Sequence, residues 1–218
     1  ISDNGDFTFS RGSNLSATRV GPGPNHYIEK GRENIARYSN QFTSGNKWSP
    51  NGLSAVEIAN DETGYNSTGD VWRLKESNSF DSHWLRDSSD AATGVGTMSV
   101  YAKYNGRHIQ LRPTGIGSGK AYANFDLING VKGTSGGSGY IDSTITSLGN
   151  DWYRCSLAMN DSGNYSWLTI LVDSPNRGEI PTYQGNGISG AYIQDAQLEQ
   201  GLVATPYIET GALTAQAG

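Results

Sequence analysis

The sequence predicts an all-β protein, an antiparallel β-sandwich of jelly-roll type, on three observations. First, hydrophobic residues make up only 35% and charged residues 17%, while 29 Gly and many Ser, Thr and Asn separate 12 Tyr and 5 Trp. That is the composition of short strands joined by tight turns, not of a disordered chain, which would lack aromatics. Second, from Phe42 onward apolar and polar residues alternate with period two, the period of a strand with one buried face. Third, turn residues punctuate these runs, including Asn-Gly at two junctions. No segment carries a helical period beyond about one turn near 34–38.

Residues 1–40 read as an extended N-terminal arm. Gly21-Pro-Gly-Pro24 lacks two backbone donors and holds the chain extended, and Tyr27-Ile-Glu29 reads as a short strand. No apolar face here is long enough for a core of its own. Phe7, Phe9, Leu15 and Val20 therefore need cover from the main domain or a neighbouring subunit, and they are the candidate oligomer-interface residues. The sandwich is expected over 41–210. In 97–103, Met98, Val100 and Ala102 share the inner face, with Ser99, Tyr101 and Lys103 opposite. In 108–112, Ile109 and Leu111 point inward and His108, Gln110 and Arg112 outward. In 121–127, Phe125 and Leu127 oppose Tyr122, Asn124 and Asp126. In 152–159, Cys155, Leu157 and Met159 are inward, Trp152 and Arg154 outward. Leu168, Ile170 and Val172 are assigned to the inner face of the next strand.

Turns are expected at 104–107, 128–131, 148–151 and 160–163, the first two as Asn-Gly hairpins. Ile193 and Leu198 differ in parity, so burying both requires a phase shift, which a bulge near Asp195-Ala196 supplies. Residues 61–70 and 77–93 read as long loops, with Trp84 either a plug in one end of the sandwich or a solvent-facing anchor. Residues 115–120 and 134–139 read as flexible loops, and 211–218 as a flexible tail.

With 16 Lys+Arg against 21 Asp+Glu the formal charge is -5, which argues against nucleic acid as a partner. No apolar run approaches the length of a membrane span, so no membrane partner is expected. Cys155 is the only cysteine. It allows neither an intrachain disulfide nor a cysteine metal cluster, and its inward position reads as a small buried hydrophobe. The chain begins at Ile1, and it reads as a piece of something longer. Catalysis is not expected. The acidic pairs Asp61-Glu62 and Asp87 with Asp90 lie in loop-like stretches, and His26, His83 and His108 sit in no hydrolase or zinc setting. Gly115-Ile-Gly-Ser-Gly-Lys120 lacks the spacing of a phosphate loop.

If the assigned pleats belong to one sheet, Tyr101, His108, Gln110, Arg112, Tyr122, Asn124, Trp152 and Arg154 share one outward face. Aromatic planes stack on the C–H faces of sugars, while amides and guanidinium groups hydrogen-bond their hydroxyls, so this set is a candidate carbohydrate site. The same residue types suit a subunit interface, and Trp152 could instead be covered by the arm. All three readings stay open at this point.

Several motifs occur in a recurring order. Phe9-Ser-Arg-Gly-Ser13, Ala17-Thr-Arg-Val20, Tyr27-Ile-Glu29, Glu33-Asn34 and Tyr38-Ser-Asn-Gln-Phe42 with Trp48 come first. Met98-Ser-Val-Tyr-Ala-Lys103, Ala123-Asn-Phe-Asp-Leu127, Asp151-Trp-Tyr-Arg-Cys155, Gly190-Ala-Tyr-Ile193, Ala196-Gln-Leu-Glu199 and Ala204-Thr-Pro-Tyr-Ile208 follow. Through nearly its whole length the chain resembles virion proteins of tailed phages: fibres, tail appendages and capsid-attached decoration proteins. The resemblance implies a jelly roll akin to concanavalin-like folds and carbohydrate-binding modules, displayed on an extracellular phage particle, usually as a homotrimer. Its partners would be further copies of itself, other virion proteins and glycans. Gln194-Asp195 departs from that pattern and approaches carbohydrate-binding jelly rolls attached to enzymes, where an acidic residue at this point helps hold a structural calcium ion. Asp195 is thus the one candidate metal ligand, against the roughly six to eight oxygens that calcium requires; no other cofactor is expected. Two further readings are a purely structural decoration protein without glycan binding, and a carbohydrate-binding module of a secreted polysaccharide-degrading enzyme.

Overall fold

A computed structural model describes residues 18–20, 27–29, 32–87, 92–115 and 119–217. Among them the strands run β1 Thr18–Val20, β2 Tyr27–Glu29, β3 Arg32–Asn34, β4 Trp48–Asn51, β5 Leu53–Ile58, β6 Trp72–Glu76, β7 Phe80–Asp81, β8 His83–Asp87 and β9 Ala92–Asn105. They continue as β10 His108–Leu111, β11 Tyr122–Asp126, β12 Val131–Gly136, β13 Tyr140–Gly149, β14 Trp152–Tyr165, β15 Leu168–Val172, β16 Tyr183–Gln184, β17 Gly190–Gln200 and β18 Ala215–Ala217. One turn of 3-10 helix occupies Ser44–Asn46.

Two antiparallel sheets carry the fold. The first has the order β12-β11-β10-β15-β8-β4, the second β13-β14-β9-β17-β6-β5. From β6 the chain crosses to β8, back to β9 and across to β10. It stays in the first sheet for β11, then alternates again through β14, β15 and β17. Without the edge strands, β11-β10-β15-β8 faces β14-β9-β17-β6, which is the jelly-roll topology. The expected all-β sandwich is therefore what the chain forms.

The period-two patterns build the core between the sheets. Met98, Val100 and Ala102 meet Cys155, Leu157 and Met159 across β9 and β14, and Ile109, Leu111, Phe125 and Leu127 close the opposite layer. At one end Phe42, Trp48, Trp72 and Trp167 pack edge-to-face, with ring centroids 4.7 to 5.9 Å apart. Each indole also places its N–H on a carbonyl: Trp48 on Tyr38, Trp72 on Asn40 and Trp167 on Ser99. Buried rings of this kind add about 0.5–1.5 kcal/mol per pair beyond their area. A polar knot sits elsewhere in the fold, where fully buried Glu76 accepts from Arg107 Nε and Nη2 at 2.7 and 2.6 Å, from the Tyr183 hydroxyl and from the Asn186 amide.

The bulge is where parity required it. The register of β17 against β9 shifts between Gln194 and Gln197, and Asp195 takes a φ of 56°. Several other expectations need correction. Tyr104–Arg107 is not a hairpin; it carries the chain from β9 in one sheet to β10 in the other. Residues 160–163 lie inside β14, as an irregularity against β9. The hairpins at 128–131 and 148–151 do form, the latter with Asn150 and Asp151 both at positive φ. Residues 134–136 belong to β12, and Trp84 lies within β8 rather than in a loop.

The inner face of β15 is the reverse of the assignment. Leu171 joins the main core, while Leu168, Ile170 and Val172 form a second cluster with Trp84 and Ile180 on the other side of the sheet.

Residues 32–40 are part of the sandwich rather than of an arm. The buried Asn34 side chain donates to the carbonyls of Ala196 and Ile208 and accepts from the amides of Ala36 and Leu198. The tail is tied down as well, since β18 pairs with β3 and the Tyr38 amide donates to the Gly211 carbonyl. Phe7, Phe9 and Leu15 lie outside the described residues, as does the Val20 side chain, although its backbone ends β1.

Candidate functional site

The eight predicted carbohydrate-binding residues do not form one face. β10 and β11 belong to the first sheet, β9 and β14 to the second. His108, Gln110, Arg112, Tyr122 and Asn124 thus lie on one outer surface of the sandwich, and Tyr101, Trp152 and Arg154 on the opposite one.

On the first sheet the polar side chains hold down the segment 173–182. Gln110 Nε2 donates to Asn124 Oδ1 at 2.8 Å and to the Gly178 carbonyl at 2.9 Å, and Gln110 Oε1 accepts from the Ile180 amide at 2.9 Å. Asn124 Nδ2 donates to the Arg177 carbonyl, and Arg112 Nε to Glu179 Oε1 at 2.7 Å. His108 accepts from the Leu127 amide and lies 3.4 Å from Asp126; burial outweighs that carboxylate and lowers the imidazole pKa. Trp84 packs on the Leu168–Ile170–Val172 cluster, and the Arg86 guanidinium lies 5.3 Å from its ring centroid. Only Tyr122 of the predicted set on this sheet is partly exposed.

On the second sheet the aromatic rings are also covered, by the loop between β5 and β6. Tyr65 stacks on Tyr101 at 3.7 Å and 2°, and Trp152 is 1% exposed with its Nε1 donating to the Thr63 carbonyl. Asp195 accepts the Tyr65 hydroxyl at 2.7 Å. Burial raises its pKa to about 6; Glu209 and Asp70 add to the rise, and the hydroxyls of Tyr65 and Tyr207 oppose it. The carboxylate thus fastens the covering segments to the bulge. Among the described residues, no group of three or more His, Cys, Asp or Glu side chains is placed to hold a metal ion.

Beside these rings the second sheet keeps an open cleft of about 220 Å³. The pairings Asp142↔Ala158, Thr144↔Ser156 and Thr146↔Arg154 place these six side chains on one face of β13 and β14, which becomes the cleft floor. After β17, Gly201 turns at a φ of 132°, a conformation that L side chains rarely adopt, and sends the chain back over the sheet. Leu202, Val203 and Ala204 then form the opposite wall. This strap is pinned from below. Thr97 Oγ1 donates to the Gly201 carbonyl, and Thr205 donates from its amide and hydroxyl to buried Glu199. Arg154 Nη2 donates to the Thr205 carbonyl and to Ser99 Oγ, and its Cζ lies 5.3 Å from the Tyr101 ring centroid.

The cleft therefore combines hydroxyls, a guanidinium and an apolar wall. Of the predicted site residues only Arg154 lines it. Thr144, Thr146, Ser156 and 202–204 escaped sequence reasoning; the alternation Thr144-Ile-Thr146 before Leu148-Gly-Asn-Asp151 was the available signal. A scan against protein-family models and a search of curated proteins give no match for this chain.

Proposed function

We propose that this chain is a non-enzymatic structural module of a tailed-phage virion whose jelly roll binds glycans. The virion assignment rests on the ordered motifs that resemble those proteins. The glycan reading rests on one observation, the open cleft over β13 and β14 with its hydroxyl floor, its guanidinium and its apolar wall. Hydroxyls and a guanidinium offer fixed hydrogen bonds to sugar oxygens, and Leu202 and Val203 offer cover for C–H faces. Stacking on Tyr101 or Trp152 is not part of this reading, because the chain itself occupies those rings. A single shallow cleft binds weakly, and several copies on one particle raise avidity without new contacts.

The test is a glycan array with the wild type and Thr144→Trp, which fills the cleft from an exposed position. Retained binding by the wild type with at least tenfold loss in the variant supports the reading. Equal binding by both removes the cleft from it.

A second reading, a decoration protein without glycan binding, is favoured by the apolar rim. Leu202 and Val203 are 58% and 73% exposed, which suits burial against another virion subunit. An array on which the wild type binds nothing, combined with a stable homotrimer in light scattering, would favour it.

A further inference from the structure

The guanidinium groups of the sandwich are not equally compensated. Arg73, Arg107, Arg112 and Arg177 each have a carboxylate within 3.3 Å. Arg154 has none within 4.0 Å among the described residues, and its Nε is buried without a hydrogen-bond partner. Its hydrogen bonds among the described residues use Nη2 alone, toward Ser99 and Thr205. The Tyr101 ring offers it only a π-face. A partly buried cation without a counter-charge is energetically incomplete, and a ligand carboxylate accepting from Nη1 would supply that charge through a charge-assisted hydrogen bond.

The other charges around the cleft do not supply that partner. Asp142 stands on the floor, but Lys132 lies 3.6 Å from it, and it also accepts the Ser143 amide. Buried Glu199 is engaged by Gln197 and by both donors of Thr205.

Resting on the glycan reading above, the geometry points to an acidic saccharide as the ligand of this cleft. A uronic or sialic acid residue would place its carboxylate on Arg154. Its hydroxyls would meet Thr144, Thr146 and Ser156, and its C–H face would meet Leu202 and Val203. Arg154 is then the residue that sets specificity, while the rest of the cleft tolerates many sugars.

The experiment titrates the full chain by calorimetry, with amide chemical shifts followed in parallel, against two matched pairs. One pair is trigalacturonate and its carboxyl-reduced counterpart; the other is sialyllactose and lactose. Within at least one pair the acidic member is expected to bind tenfold or more tightly than its neutral match. Val203→Glu and Val203→Lys both remove the same apolar contact and should weaken the neutral sugar alike, whereas the acidic sugar should bind at least threefold more weakly to Val203→Glu than to Val203→Lys. Arg154→Gln should remove the preference; the Val203 pair keeps the test valid if that variant fails to fold. Equal affinity for acidic and neutral members, with shifts in the cleft, overturns the acidic inference and leaves the glycan reading standing. No shift in the cleft with any of the four sugars overturns both.

Discussion

Asp195 occupies a bulge at positive φ, is 3% exposed and accepts the Tyr65 hydroxyl. With its pKa raised to about 6, the folded chain holds a proton between roughly pH 4 and 6 that the unfolded chain has already lost. The stability contributed by the protonated form is complete below the unfolded value near 4 and is lost as pH rises through about 6. Relative to Asp195→Asn, which keeps the shape and tolerates positive φ, the wild type should gain about 2–3 kcal/mol between pH 7.5 and pH 4. Urea unfolding of both proteins at the two pH values measures this. A difference that does not change with pH would mean that the carboxyl is not held as the geometry implies. Tyr65→Phe, which removes one donor and keeps the stack on Tyr101, should cost about 1.5–3 kcal/mol at neutral pH, where the acceptor is charged.

At the scale of elements, both outer faces of the sandwich are covered in part by the chain's own segments, which pack apolar or aromatic side chains on the sheet and are fastened by polar bonds. Gln110 alone satisfies an amide donor and two carbonyl-type acceptors across β10, β11 and the segment 173–182. Gln110→Ala strands those partners, so it should lower stability by about 2–4 kcal/mol and speed hydrogen exchange at the Ile180 amide. Unchanged exchange there would contradict the clamp.

This is also where the sequence stopped being legible. Alternation placed the inner faces of β9, β10, β11 and β14 correctly, because each has one dry side and one polar side. It reversed β15, where Leu168, Ile170 and Val172 are buried under the clamp and every residue is apolar or buried, so parity carries no information. It missed β13, an edge strand of Ser and Thr with few apolar residues. Period two also tells which side of its own strand a residue faces, never which sheet the strand joins. That is why Trp152 and Tyr122 were gathered on one face although they belong to opposite sheets.

For the whole molecule, the two ends of the described domain close on each other. β3 pairs with β18, and Thr210 bonds with Ala36 and Ser39. Truncation after Thr210 removes the β18 partner and the Gly211 acceptor but keeps the Asn34 knot. It should expose the amides of residues 32–34 to exchange while β9, β14 and β17 remain protected, with a fall in Tm of a few degrees. Loss of protection throughout would show that the closure supports the entire sandwich.

With both aromatic surfaces occupied from within, the site we propose for recognition is the cleft between β13, β14 and the strap after Gly201. Amide and side-chain NMR shifts on adding a glycan selected from the array test this most directly. The account predicts perturbations at Thr144, Thr146, Arg154, Ser156 and residues 202–204, with the Trp152 indole and Tyr122 unmoved. Shifts centred on Tyr122, Trp84 or the Trp152 indole, with the cleft silent, would contradict it.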